Sequence, residues 1–209
     1  SAERIDFHGE PCTLQLVNDI TERKRAEQES HERIRQAAAM QTALLELAHL
    51  DDISLTFSTI LQHVTCIVAD VLAVERVSLW LLSRDQTELV CQDLYLRSQA
   101  THSTGSRLAA SSYPRYLAVL KESLVIGASN ARVDQRTSEF TDDYFLSLGI
   151  TSVLDVPIRR QGKVIGVLWC EHVGMPREWA PELQDFGVSV GQTIARMIEA
   201  SERRRAEVS

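Results

Sequence analysis

The sequence predicts an α+β fold, in which an antiparallel sheet carries long N- and C-terminal helices packed on one face. Two long stretches, residues 20–50 and 181–205, show helical spacing of apolar residues, and the first contains neither Gly nor Pro. Other segments alternate apolar and polar residues, as strands do. The two clearest of them flank a tight turn at Gly162 and therefore predict a hairpin.

The chain opens with a predicted hairpin over residues 4–17. Ile5 and Phe7 alternate with polar residues, His8 and Gly9 suit a turn, and apolar residues alternate again on the return strand. Two strands do not form a stable unit alone. We therefore expect this hairpin to be the end of a domain that is truncated here.

The long helix predicted at residues 20–50 carries a heptad-like seam. Asp19 and Glu22 suit a helix start, because both carboxylates can accept hydrogen bonds from the free backbone N–H groups. The 4-3-4-3 seam consists of Ile34, Ala38, Gln41, Leu45 and Ala48. It indicates pairing with a second helix, and the alternative is a surface helix packed on its own domain. The final helix repeats this spacing at Phe186, Val190, Thr193, Met197 and Ala200.

The middle of the chain supplies the remaining elements. Helices are predicted at residues 54–72, 113–122 and 141–148, the last of them ended by Gly149. A polar loop is predicted at residues 98–112. Strands are predicted at residues 76–82, 88–96, 123–128, 153–159 and 163–170.

Composition excludes several classes of function. The 209 residues carry a net charge of −7, which disfavours binding to nucleic acid or to an anionic membrane surface. No apolar run approaches the roughly 20 residues that span a bilayer. Apart from the pair His63 and Cys66, the four cysteines show no metal-binding spacing, and such scattered thiols are typical of buried residues in a reducing compartment. We therefore expect a cytoplasmic location, no metal and no membrane contact by this segment.

Two parts of the chain resemble known families of signalling proteins. Residues 18–27, with the run Asp-Ile-Thr-Glu before a charged helix, resemble the end of a PAS sensor domain. Residues 44–200 resemble a GAF domain of bacterial sensor proteins. The stretches that carry this second resemblance are residues 77–81, 113–116, 128–132, 144–150, 152–157, 166–172 and 177–179.

The GAF resemblance implies a six-stranded antiparallel sheet with a small-molecule pocket on the face away from the terminal helices. It also implies a parallel homodimer through those helices. The expected domains are the C-terminal hairpin of a PAS domain, a connecting helix, a GAF domain and the start of an output linker. Their ranges are 1–19, 20–50, 51–200 and 201–209.

Known GAF ligands and cofactors fit these residues poorly, so the ligand and any cofactor stay unassigned. The residues typical of cyclic-nucleotide binding are mostly missing from the stretch 171–182. No cysteine is followed by histidine, as bilin attachment usually requires. A single histidine at a strand end, His172, is more often a surface residue than a haem ligand.

Five residues are candidates for the ligand site. Asp155 is an acid within an apolar strand, and a buried carboxylate needs a partner or a ligand, or else a loop backbone to bond. Glu171 ends the next strand and could alternatively pair with Arg177. The aromatic candidates, whose alternative role is core packing, are Trp80, Tyr113 and Tyr116.

The sequence therefore predicts a non-enzymatic sensory module that binds a small molecule or relays an upstream signal through paired helices. The sequence does not determine the type of output domain, which could be a histidine kinase, a cyclic-dinucleotide enzyme or another type. Two alternatives stay open. One is a thiol-dependent reductase similar to methionine sulfoxide reductases, acting through Cys91 or Cys170. The other is a ligand-free dimerisation spacer.

Overall fold

The structure is a computed structural model that describes residues 2–7, 10–15, 21–50 and 55–208. The chain divides into two compact units, residues 1–38 and 39–209. The first unit contains an antiparallel hairpin of β1 (Ala2–Phe7) and β2 (Glu10–Gln15) and the beginning of a long helix. The predicted turn at His8 and the predicted helix start at Asp19 lie outside the described residues.

Four α-helices occur in the described residues, and their bounds agree closely with the sequence patterns. They are α1 (Thr21–His49), α2 (Phe57–Leu72), α3 (Pro114–Glu122) and α4 (Pro181–Val208). Thr56 caps α2 by accepting a hydrogen bond from the Thr59 backbone N–H at 3.2 Å. Pro114 occupies the first turn of α3, where its missing N–H costs nothing.

The second unit is built on one antiparallel sheet whose two longest strands form the predicted hairpin. The strands are β3 (Arg76–Leu82), β4 (Glu88–Leu96), β5 (Thr101–Ser103), β6 (Arg107–Ala109), β7 (Ile126–Ala128), β8 (Ile150–Arg160) and β9 (Lys163–Val173). Between β8 and β9, Gln161 and Gly162 have φ of 50° and 79°, as a tight two-residue turn requires. The turn brings Arg160 opposite Lys163.

The strand order is β5-β4-β3-β9-β8-β7, and β6 also pairs with β4. This makes seven strands where six were expected. Two of the strands, β5 and β6, lie within the stretch 98–112, which the sequence predicted as a loop. Its two strands have only three residues each, too few for a recognisable alternation, and both form by pairing with β4.

One side of the sheet, here called the helix face, packs against α2, α4 and the end of α1. Its core contains Leu79, Leu154 and Val156 from the strands, with Val64 from α2 and Val190 from α4. The end of α1 joins this core through Met40, Ala43 and Leu47, with Leu50 just after it. The expected arrangement of long helices on one face is confirmed.

The other side, here called the aromatic face, is covered by α3 and by the segment 137–145. Its buried cluster contains Trp80 and Trp169 from the strands, Tyr116 from α3, and Phe140 and Phe145 from the covering segment. That segment forms a 3₁₀ turn at Ser138–Phe140 and a π-helical turn at Thr141–Phe145, not the α-helix predicted at residues 141–148. Such π turns are frequent at functional sites.

The seam predicted on the final helix is corrected by the structure. Phe186, Val190 and Met197 belong to the core of their own domain, and Thr193 is buried as well. They are therefore not available as the main contact with a second chain. The spacing does mark one apolar face of a helix, but that face packs on the sheet of its own domain and not on a second helix.

The seam predicted on α1 has the opposite outcome. Ile34 is 65% exposed and Leu45 is 57% exposed, while the helix turns a different stripe, Met40, Ala43 and Leu47, inward. The apolar seam of α1 thus stays on the surface of the described chain. No helix in this part of the chain combines the length and the apolar character needed to cross a membrane.

Candidate ligand pocket

The aromatic face is polar at its centre, where three neighbouring strands meet. Alternating residues of β3, β9 and β8 point to this side, so that charged groups in the strands become neighbours. The pairing sets Arg76 opposite Glu171, and Asp155 opposite Trp169. Asp155 and Glu171 are only 4% and 1% exposed, which places two carboxylates inside an apolar cluster.

Aromatic rings enclose these carboxylates. The ring of Phe140 lies at the centre of the cover, stacked on Tyr113 at 4.2 Å between centroids and edge-on to Tyr116 at 4.8 Å. It also meets Trp169 edge-on at 5.3 Å. Contacts of this kind add to the stability that apolar burial provides. Ring packing therefore holds the cover on the sheet, together with hydrogen bonds such as that from the Tyr144 hydroxyl to Glu171.

A hydrogen-bonded chain runs from Trp169 to Asp155. The indole Nε1–H of Trp169 donates to the Tyr116 hydroxyl at 2.6 Å, and that hydroxyl donates to Asp155 Oδ2 at 2.9 Å. Burial raises the pKa of Asp155 well above its usual range, and the hydrogen bond from Tyr116 opposes this only in part. Burial, with the nearby Asp155 carboxyl, also raises the pKa of Tyr116 well above its usual value.

A buried ion pair satisfies the second carboxylate. Arg76 Nε donates to Glu171 Oε2 at 2.9 Å, and the Tyr144 hydroxyl donates to the same oxygen at 3.2 Å. Burial raises the pKa of Glu171, because desolvation outweighs the attraction of the guanidinium. Burial alone would lower the pKa of Arg76, but attraction to Glu171 and Tyr144 outweighs it and the pKa is raised. Arg76 therefore stays charged.

Between the sheet and its cover lies a narrow gap, here called the closed space. It is lined by Phe140, Tyr144, Phe145, Val153, Asp155, Trp169 and Glu171, and it is too narrow for a water molecule. A larger open groove of about 340 Å³ lies near Arg84, Arg160 and Glu202. None of the buried polar side chains in the described residues lines that groove, so the closed space is the better candidate site.

The structure places all five predicted site residues on the aromatic face. Asp155 and Glu171 line the closed space directly, whereas Trp80 and Tyr116 are buried beside it and Tyr113 is half-buried at its edge. Trp80 lies 4.9 Å from Trp169 between ring centroids. Their role in binding stays a prediction. Of the two roles weighed for Asp155, the partner among the described residues is the Tyr116 hydroxyl, not a loop backbone.

Sequence reasoning missed six residues of the site: Arg76, which binds Glu171, and the lining residues Phe140, Tyr144, Phe145, Val153 and Trp169. Trp169 had a usable signal, because it stands two residues before Glu171 in one strand and must face the same side. The pairing of Glu171 with Arg177 is wrong. Arg177 donates to the Leu72 carbonyl at 2.7 Å, and its guanidinium lies 4.7 Å from the Trp179 ring centroid.

The thiols do not form a reactive pair. Cys91 belongs to the aromatic face and Cys170 to the helix face, and β3 lies between their strands. Burial raises the pKa of Cys91 to about 12 and that of Cys170 well above its usual value, so neither is a thiolate at neutral pH. In the part of the chain that the structure describes, no cluster of His, Cys, Asp and Glu is arranged to hold a metal ion.

The order of elements and the position of the closed space agree with one family. The GAF domain family model matches residues 56–199. The chain belongs to the GAF domain family. GAF domains are a small-molecule-binding sensory fold, and the closed space lies on the face of this GAF domain away from its long helices.

Solved structures of GAF domains agree with this assignment. The phycocyanobilin-bound GAF domain of a cyanobacterial phytochrome has a TM-score of 0.67 and 18% identity, over 79% of this chain and 96% of that one. The GAF domain of a phosphoenolpyruvate-protein phosphotransferase from Coxiella burnetii has a TM-score of 0.65 and 18% identity, over 81% and 98% of the two chains.

An enzyme shares the fold as well. Free methionine-R-sulfoxide reductase from Neisseria meningitidis, in complex with its substrate, has a TM-score of 0.61 and 14% identity, over 80% of this chain and 93% of that one. At these identities the likeness shows the fold alone. No curated protein has significant sequence similarity to this GAF domain.

Proposed function

We propose that this protein is a non-enzymatic, cytoplasmic sensory module that binds a small molecule on its aromatic face and relays the binding event through its long helices. The observation that carries the proposal is Asp155, a carboxyl 4% exposed whose hydrogen bond comes from Tyr116 and which has no ion-pair partner among the described residues. Burying a carboxyl in this way costs stability. Carboxyls whose pKa is strongly shifted, as that of Asp155 is by burial, are concentrated at functional sites.

A direct mechanical path connects the site to α4. Val156 follows Asp155 in β8 and faces the opposite side of the sheet, where it contacts α4. Gly187 and Gly191 of α4 let the helix approach so closely that a Cβ on either would lie 2.9 or 2.8 Å from Val156. A shift of β8 on ligand binding therefore moves α4, which continues past its last buried residue, Ser201, into an exposed end.

The proposed domain organisation follows the sequence. Residues 1–19 end a PAS domain, 20–50 connect, 51–200 form the GAF domain and 201–209 begin the output linker. The antiparallel pairing of β1 with β2 supports the first assignment. The exposed Ile34 and Leu45 of α1 support a parallel homodimer through this helix, because an apolar seam in water is stabilised by a partner.

Native mass spectrometry of protein purified from its own host tests ligand binding. The expected result is an added small-molecule mass that Asp155→Asn reduces or abolishes. A bare protein mass for both the unaltered protein and Asp155→Asn, with no ligand recovered after denaturation, contradicts the proposal.

Sedimentation tests the dimer: Leu45→Glu should give monomers, and Glu46→Gln, an exposed change at the next position, should not.

The closed packing supports a second candidate, a ligand-free dimerisation spacer. No water molecule fits between the cover and the sheet, so the side chains of the two already fill the space between them. The same mass measurement separates the two candidates. The thiol-dependent reductase is not proposed, because Cys91 and Cys170 lie on opposite faces of the sheet.

A further inference from the structure

The charges around the closed space leave one carboxyl without a counter-charge. Arg76 is bound to Glu171 at 2.9 Å, and this pair is neutral as a whole. Arg136 is also engaged, because it donates to Asp134 at 2.6 Å and to the Gly127 carbonyl at 2.8 Å. Among the described residues no Lys, Arg or His nitrogen lies within ion-pair distance of Asp155.

The walls of the space complement a positive charge. Four aromatic side chains line it, and the two remaining polar groups are both carboxyls. Aromatic rings attract cations through the negative charge of their faces, most strongly where water is excluded. An anion would instead meet two carboxyls, with the nearby Arg76 guanidinium already bound.

We propose that this pocket takes a small monocation, an amine or an amidine-type compound, whose charge is placed against Asp155 and whose apolar part lies among the surrounding rings. This inference rests on the proposed function, since it names the ligand class of the same site. With the cation in place, the site holds two positive charges and two carboxylates, so every buried charge has a partner.

The size of the space limits the ligand and shows what must move. The space does not admit even a water molecule before the cover moves, so only a small ligand fits without a large displacement. Because the space is closed, the ligand must displace part of the cover. The ring contacts of Phe140 hold that cover on the sheet, and the Glu139 carboxylate ties it to α3 by accepting from the Tyr116 N–H at 2.8 Å.

Binding is coupled to a proton. Burial favours the neutral carboxylic acid at Asp155 when the site is empty, and a bound cation favours the carboxylate. The Asp155 proton therefore leaves to solvent as the cation binds, and affinity falls as the pH is lowered. The titratable and charged groups that act on Asp155 are Tyr116 (α3), Glu171 (β9) and Arg136 (the loop before the cover). Tyr144 of the cover lines the same space, and Arg76 of β3 is bound to Glu171.

The test uses pairs of probes that differ in charge but hardly in shape: benzylammonium against benzyl alcohol, and butylammonium against 1-butanol. Benzoate is the anionic control. Each is titrated into ¹⁵N-labelled full-length chain, and the indole N–H signals of its three tryptophans are followed. Trp169 lines the site, whereas Trp179 packs on the helix face and serves as the internal reference.

At least one cation is expected to shift the Trp169 signal saturably and to bind about tenfold more tightly than its alcohol. As the pH is lowered through the range in which Asp155 must give up its proton for the cation to bind, the affinity for the cation should fall about tenfold per pH unit. The affinity for the alcohol should stay constant. Asp155→Asn should abolish the cation preference. Asp93→Asn should keep it, because Asp93 is a buried acid bound by Thr65 of α2 and His102.

The probe comparison and the pH series are measured on the unaltered chain, so they decide the matter even if Asp155→Asn does not fold. Equal binding of a cation and its alcohol overturns the inference and leaves the proposed function intact. Binding of benzoate alone does the same. If no probe binds, the cation inference is overturned, and the mass measurement above decides the proposed function separately.

Discussion

Replacing Arg76 by methionine should destabilise the GAF domain by leaving Glu171 buried without its counter-charge. The side chains of Arg76 and Glu171 are 12% and 2% exposed, so solvent screens their interaction little. Removing one partner of a buried ion pair typically costs about 3–5 kcal/mol. With an m-value of about 2 kcal/mol/M, the urea midpoint falls by roughly 2 M.

The second arm of this experiment is the double variant Arg76→Met/Glu171→Gln. Glutamine removes the buried charge but can still accept the hydrogen bond from the Tyr144 hydroxyl. The loss caused by Arg76→Met should therefore be much smaller in the Glu171→Gln background than in the unaltered chain. A difference above about 2 kcal/mol between the two backgrounds measures the coupling of the pair.

The matched control is Arg97→Met. Arg97 pairs with Asp70 at the same 2.9 Å, but these side chains are 45% and 60% exposed. An exposed pair contributes about 1 kcal/mol or less, so this change should hardly move the urea midpoint. Equal costs for the two arginines would show that burial of the pair is not what matters.

The pH dependence gives the sign of the effect. In Arg76→Met the native pKa of Glu171, already raised by burial, rises further because the guanidinium is gone. The folded state then holds the Glu171 proton more tightly than the unfolded chain does. Stability is retained below the unfolded pKa of about 4.3 and is lost as the pH rises through the raised native pKa.

The assay is urea unfolding followed by tryptophan fluorescence at several pH values. The reasoning is refuted if Arg76→Met costs the same in the unaltered chain and in the Glu171→Gln background, with a coupling below about 1 kcal/mol. That result would assign the contribution of Arg76 to packing of its aliphatic stem.

Three further changes test other parts of the fold. Tyr116→Phe should cost about 1–3 kcal/mol by leaving the Trp169 indole N–H without its acceptor, and the NMR signal of that N–H should move strongly. Gly166→Ala should cost about 3 kcal/mol or more, seen as a fall in melting temperature, because its Cβ would clash with the Trp80 carbonyl oxygen. Cys91, whose pKa is raised to about 12, should react with a thiol reagent at neutral pH only at the rate of unfolding; fast labelling in the folded protein would contradict its burial.

Strand and helix positions could be predicted from local patterns. The strands predicted at residues 76–82 and 88–96 coincide with β3 and β4, because apolar alternation reports directly which residues a sheet buries. The cover, residues 137–145, could not be predicted in the same way. Its apolar residues suit an α-helix, but packing of Phe140 and Phe145 on the sheet favours the observed 3₁₀ turn followed by a π-helical turn.

The candidate site was predictable in part. Asp155 and Glu171 could be recognised from the sequence because an acid buried within an apolar strand needs a hydrogen-bond or ion-pair partner. The partner of Glu171 was not recognisable, since Arg76 lies 95 residues away in the chain and β3 reaches β9 only through the strand order. Arg177, which is close to Glu171 in the sequence, was predicted as its partner. This prediction is wrong because Arg177 lies on the helix face, where it donates to the Leu72 carbonyl.

The amino-acid order alone thus specifies the long helices and the long strands, and which of their residues are apolar, because both depend on periodicity over several neighbouring residues. The short strands β5 and β6 and the turns of the cover depend on tertiary pairing and packing. It leaves open what each apolar helix face packs against. The same spacing leads to a surface seam in α1, where Leu45 is exposed, and to a core contact in α4, where Val190 is buried. A helical period records only that one face is apolar, and the partner of that face is set by long-range pairing of distant segments.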